Sequence, residues 1–214
     1  MLRGGGHWLW LTIRRAALIN EVIAVVLAYL IGSIPSAYII ARLVGKIDLR
    51  PEGDGKVSAA AVNRKLGVVP FLVVVVMDVS AGVLSVLIAK VLTGAPLGEF
   101  TESQLAVLAA GFAAVAGHNW PVFLKFKGGL GATTTYGVLV TLVWWQFLIV
   151  AVTAFSIFLI TKRKKPGLMT AILVVGLSAL LFVQKLPLIL VIYPFVLIAL
   201  MLLKRFQVSK TVPR

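Results

Sequence analysis

Five apolar runs, at residues 18–44, 68–92, 104–124, 132–161 and 167–203, take up most of this 214-residue chain. A bilayer offers no water to backbone N–H and C=O groups, so a run of about 20 such residues crosses it as an α-helix. Composition agrees: 60% of the residues are hydrophobic and only 13% are charged. A soluble domain has roughly 45–50% and about 25%. A soluble globular protein, a disordered chain and a collagen-like chain are all excluded. The sequence predicts an all-α, polytopic membrane bundle.

The last two runs span 30 and 37 residues, too long for one crossing each. Each is expected to fold back as a hairpin, about 132–143 with 145–161 and about 167–182 with 187–203. Trp144 and Trp145 suit the first turn at headgroup depth, and Gln184, Lys185 and Pro187 mark the second. Seven spans result. They gather 16 of the 21 Lys and Arg residues on one side and leave Arg3, Arg14, Arg15, Lys90 and Lys185 on the other. That asymmetry orients the N-terminus out and the C-terminus in. Five spans would turn the Lys162–Lys165 cluster outward, against the same rule. Residues 1–17 read as an interfacial lead-in, 18–204 as one transmembrane domain and 205–214 as a cytoplasmic tail.

Chemistry is left to few side chains. The absence of cysteine removes disulfides, thiolate metal sites and a Cys nucleophile. With two histidines and seven acidic residues, a metal centre is not expected. The net charge of +14 points first to anionic headgroups and then to an anionic substrate. Nucleic acid is disfavoured, because no basic soluble domain exists to carry it.

Two loops on the cationic side hold the candidates. The first runs from Lys46 to Gly67 and contains Arg50, Asp54, Lys56, Ser58 and Arg64. Gly53 and Gly55 flank Asp54 and permit a tight turn, after which Ser58 or Asp54 can cap a helix. A plain interhelical turn and a functional loop are both open. The second reads His118-Asn119-Trp120-Pro121, then Lys125, Lys127, Gly128, Gly129 and Gly131, then Thr133. Free N–H groups at a helix starting near Gly129, with two lysines at the mouth, suit a phosphate. Glycines in membranes also serve close helix packing. The spacing fits neither a Walker loop nor a dinucleotide fingerprint. Asp78, roughly 12 Å along its helix from Pro70, is an intramembrane acid and therefore a functional candidate. Its other reading is a carboxyl bonded to a neighbouring helix. The third loop, Lys162 to Gly167, reads as a topology determinant.

These residues resemble the bacterial acyl-phosphate:glycerol-3-phosphate acyltransferases, small integral membrane enzymes of phospholipid synthesis. Gly32-Ser33-Ile34-Pro35-Ser36-Ala37-Tyr38 is similar to that family's opening signature. Asp48-Leu49-Arg50 followed by Gly53, Gly55, Ala59, Val62, Arg64, Leu66 and Gly67 fits its first loop motif. Asp78 and Gly82 match its Asp-x-x-Lys-Gly element. Gly117-His118 through Pro121 to Gly129 is the nearest match. Departures are equally specific: Ala81 and Leu130 stand where the family has lysine, and Asp54, Lys56, Ala60 and Ala61 replace polar motif residues. The C-terminal His-Arg and Glu region is also absent, the chain ending through Phe206-Gln207-Val208-Ser209.

The resemblance implies transfer of a fatty acyl group from acyl phosphate to glycerol 3-phosphate, giving lysophosphatidic acid. It implies no cofactor, membrane lipids as surroundings, and a cytoplasmic-face site in a bacterial-type plasma membrane. Catalytic roles fall to Arg64, His118 and Asp54. Phosphate binding falls to Gly128, Gly129, Gly131, Lys125, Lys127, Thr133, Arg50, Lys56 and Ser58. The departures predict weak or altered activity. A relative that only binds a phosphate-bearing lipid or metabolite is the alternative. A small transporter is less favoured, because Asp78 is alone in the membrane and no matching second half exists.

Overall fold

The computed structural model describes residues 5–49, 57–95, 103–161 and 166–211. Within them the chain forms α1 (Gly5–Gly32), α2 (Ser36–Gly45), α3 (Ala59–Leu66), α4 (Val68–Thr93), α5 (Ser103–Asn119) and a 3₁₀ turn (Val122–Leu124). There follow α6 (Ala132–Leu142), α7 (Trp144–Thr161), α8 (Pro166–Val183) and α9 (Leu188–Thr211). No strand occurs among the described residues. Four stretches are long and apolar enough to cross a membrane: Leu11–Gly45, Val68–Thr93, Ser103–Leu124 and Leu188–Val208. Ala132–Leu142, Trp144–Ser156 and Leu173–Val183 are shorter apolar helices. Helix breaks fall where both hairpins are expected, at Val143 and at residues 184–187.

One boundary differs from expectation. The first apolar run is not one helix, because Pro35 lacks an N–H and its ring crowds the preceding turn. The chain therefore breaks at residues 33–35, and Ser33 turns its hydroxyl back onto the Tyr29 carbonyl (2.8 Å). Helix α1 starts at Gly5 and continues without interruption into the span, so the described part of the lead-in is helical. The basic 162–165 cluster lies outside the described residues.

Helix α4 is the centre of the bundle, in contact with α1, α2, α3, α5 and α6. Small residues make this possible. A Cβ on Gly32 would overlap the Ala114 carbonyl, and one on Gly117 the Tyr29 carbonyl, so α1 and α5 cross at backbone contact. Gly82 and Gly137 do the same for α4 and α6, each facing a carbonyl of the other helix, at Thr134 and Val79. Lipid gives helices no hydrophobic reason to associate, so such close approach supplies the packing. Outward faces carry Val76, Leu84, Val152 and Phe155, all exposed to the surroundings. Gly137→Val is expected to lower stability by about 1–3 kcal/mol through overpacking, read as a drop in the unfolding midpoint of detergent-purified protein.

Candidate functional site

The break between α1 and α2 places a serine inside the bundle. Ser36, the first residue of α2, is buried beside the middle of α4. There Asp78, 2% exposed, accepts a hydrogen bond from the Ser36 hydroxyl on Oδ1. On Oδ2 it accepts one from Thr133, in the first turn of α6 (2.7 Å). The fourth participant is His118 near the end of α5, with Nδ1 at 3.7 Å from Asp78 Oδ1. That distance is an electrostatic contact rather than a direct hydrogen bond. One carboxyl group thus gathers α2, α4, α5 and α6. The geometry is that of a carboxyl bonded to neighbouring helices.

The connection from α5 to α6 forms the wall of this cluster. Lys125 and Phe126 both take left-handed backbone angles (φ 52° and 64°), a costly arrangement held by turn bonds from Phe126 N to Pro121 O and Lys127 N to Leu124 O. The chain then passes so close to the end of α5 that a Cβ on Gly128 would overlap the His118 carbonyl. One on Gly129 would crowd His118 Nε2. Gly131, at φ 73°, caps α6, which starts at Ala132 rather than near Gly129. Gly128, Gly129 and His118 line a slot of about 10 Å³ with Ser36, Val57 and Pro121.

The other expected residues fall into groups. Lys125 and Lys127 are exposed at the loop's rim. Thr133 commits its hydroxyl hydrogen to Asp78. Ser58 caps α3, its oxygen accepting from Ala61 N at 3.3 Å. Arg64 is exposed in the last turn of α3, outside the Asp78 cluster. Arg50, Asp54 and Lys56 lie outside the described residues. Ser36 was not singled out as a site residue, although a serine directly after a proline in a membrane run signals it: the break exposes polar groups the bundle must satisfy.

The arrangement is not a Ser-His-Asp relay. In such a relay the hydroxyl donates to imidazole and the imidazole to carboxylate, whereas here Ser36 donates straight to the carboxylate. Its oxygen is not activated as a nucleophile by His118. The cluster places His118 between the Asp78 carboxyl and the glycine turn. Among the described residues, no group of three His, Asp or Glu side chains is placed to hold a metal.

An apolar helical bundle with a buried, multiply bonded carboxyl and a basic glycine turn is an integral membrane protein with an internal polar site. The family to which it belongs is shown by its relatives. The family model described as glycerol-3-phosphate acyltransferase matches residues 22–210, and the chain belongs to that family. "Glycerol-3-phosphate acyltransferase 2" of Moorella thermoacetica is 42% identical over 63% of this chain and 68% of its own. The glycerol-3-phosphate acyltransferase of Shouchella clausii is 35% identical over 77% of each. Among solved structures, PlsY (YgiH), an integral membrane glycerol 3-phosphate acyltransferase, superposes in its glycerol 3-phosphate form with a TM-score of 0.73. The two are 30% identical, over 87% of this chain and 88% of that one. The form of PlsY with lysophosphatidic acid gives 0.72 and 28% identity.

Asp78→Ala leaves two inward hydroxyls without their acceptor and is expected to cost about 1–3 kcal/mol for each. Asp78→Asn keeps an acceptor oxygen and is expected to melt between wild type and Asp78→Ala in the same detergent.

Proposed function

We propose that this chain transfers a fatty acyl group from acyl phosphate to glycerol 3-phosphate, at the cytoplasmic face of a bacterial-type plasma membrane. One observation carries the reading: in a chain of this family, the His118–Asp78–Ser36–Thr133 cluster backs directly onto the Lys125–Gly131 turn. The glycerol hydroxyl attacks the acyl carbonyl, the bond from that carbon to the phosphate oxygen breaks, and the departing phosphate takes the hydroxyl proton. No acyl-enzyme is required, in keeping with Ser36 being bonded to Asp78 instead of to an imidazole. Donors aimed at the developing oxyanion and at phosphate contribute most of the protein's share. These are the N–H groups of Gly128, Gly129 and Gly131, with Lys125, Lys127 and His118. Ser58 and Arg64, at the two ends of α3, and Arg50, Asp54 and Lys56, outside the described residues, are the further candidates of the first loop.

The slot beside His118 holds no more than a water-sized group, so a phosphate meets this wall at its mouth. An apolar groove of about 730 Å³ between α1, α5 and α9, lined by Tyr29, Phe112, Ile192 and Val196 among others, supports the acyl part of the reading. The seven-span arrangement with the C-terminus inside rests on the asymmetry of Lys and Arg. Under it, cysteines introduced at Ser58 and Ser209 resist a membrane-impermeant thiol reagent in intact cells, and labelling of either from outside contradicts it.

A binding-only relative is the second reading, favoured by Leu130 and Ala81 at two family lysine positions. Purified protein given acyl phosphate and glycerol 3-phosphate is expected to form lysophosphatidic acid slowly. Leu130→Lys is expected to raise turnover on the order of a hundredfold, the reverse of losing one transition-state donor at ~2.7–4 kcal/mol. Background turnover in both proteins identifies a binding protein. Fast wild-type turnover that Leu130→Lys slows means another cation has taken over the role.

A further inference from the structure

Lys204 was counted with the loop charges, yet it is 5% exposed, about two turns before the end of the chain's last described helix. Its Nζ donates to the Phe126 carbonyl (3.2 Å) and stands 5.4 Å from the centroid of the Trp120 ring. Among the described residues no carboxylate is bridged to it. A carbonyl and a ring face stabilise an ammonium without neutralising it, and a cation withdrawn from water without a counter-charge costs several kcal/mol. An ammonium also has three hydrogens to donate, and one is accounted for.

Its partner is informative. Phe126 is the second of the two left-handed residues, directly before Lys127, Gly128 and Gly129. One turn earlier on α9, the Leu200 carbonyl accepts from Asn119 Nδ2 (3.5 Å), and about one turn later Gln207 accepts from Trp120 Nε1 (2.9 Å). Successive turns of α9 therefore clasp residues 119–126. Beside that clasp the Asn119 Oδ1 atom is buried without a hydrogen-bond partner, facing Gly131. Among the described residues, this region holds a cation with no carboxylate against it, at the back of a turn rich in N–H groups.

We infer that Lys204 supplies a phosphate-binding cation to the Lys125–Gly131 turn, the phosphate of a bound ester being its missing counter-ion. The identity of that ester as acyl phosphate or glycerol 3-phosphate rests on the function proposed above. Phosphate binding itself does not. An anionic lipid headgroup carries the same chemistry, and the test separates the two sources.

Full-length protein, wild type and the variants Lys204→Met, Lys204→Gln and Lys204→Arg, is melted in neutral detergent against inorganic phosphate and glycerol 3-phosphate. Wild type is expected to be stabilised by either solute. The two neutral variants are expected to need at least ten times more of it for the same shift, and Lys204→Arg to stay within about threefold of wild type. In turnover, the neutral variants are expected to raise KM for a phosphate substrate more than they lower kcat. A parallel melt in nanodiscs of phosphatidylcholine, with and without phosphatidylglycerol, reads the lipid source. Stabilisation by phosphatidylglycerol that the neutral variants lose, with no response to soluble phosphate, assigns the counter-ion to the headgroup. If the variants melt lower but keep the wild-type dependence on phosphate and on phosphatidylglycerol, Lys204 is only a structural clasp and the inference is overturned. No response of wild type to any of the three anions overturns it equally. Absence of turnover in wild type with phosphate stabilisation intact sinks the acyltransferase reading and leaves this one standing.

Discussion

A carboxyl group halfway along an apolar helix constrains everything around it. Left alone in hydrocarbon, the Asp78 side chain costs at least ~2.5–3.5 kcal/mol, so helices that pack on α4 must bring donors. Ser36 and Thr133 do so, and each requires a specific backbone event. Pro35 has to end α1 before Ser36 can turn inward. Gly131 has to cap α6 so that Thr133 lands in its first turn. The bends are therefore consequences of satisfying one side chain.

The glycines are the second half of the same arrangement. Thr133 reaches Asp78 only if α4 lies at backbone contact with α6, which Gly82 and Gly137 allow. His118 reaches the cluster only because Gly32 and Gly117 let α1 and α5 close up. Gly128 and Gly129 then bring the following loop against the end of α5. A role for their N–H groups toward phosphate and their role in packing are compatible, since the absent side chain faces His118 and leaves the N–H a separate matter.

Hydropathy made the helical class, the breaks at Val143 and at residues 184–187 and most helix limits legible, because membrane spans are written in composition. Asp78 was legible for the same reason: one acid in a run of valines is conspicuous. What sequence could not show was which neighbours would satisfy it, since Ser36 and Thr133 lie 42 and 55 residues away and only packing unites them. Lys204 enters the sequence reading only as one of the charges on the cationic side, at the end of the transmembrane domain. Its burial comes from α9 running beside Trp120 and Phe126, a tertiary fact with no local signature. The helix start near Gly129 was misplaced by three residues, since a Gly-rich turn gives no cap side chain to mark the boundary.

The distribution of the Asp78 partners along the chain bears on how the protein is made. During synthesis α4 emerges after Ser36 but before His118 and Thr133, so it must enter the bilayer with its carboxyl only partly satisfied. The flanking valines and leucines, each favouring insertion by ~0.3–0.6 kcal/mol at the helix centre, are numerous enough to carry it in. The helix is thus apolar in excess of what the finished bundle needs. Its surplus hydrophobicity serves the nascent chain, holding α4 in place until the last two partners arrive and the polar cluster closes.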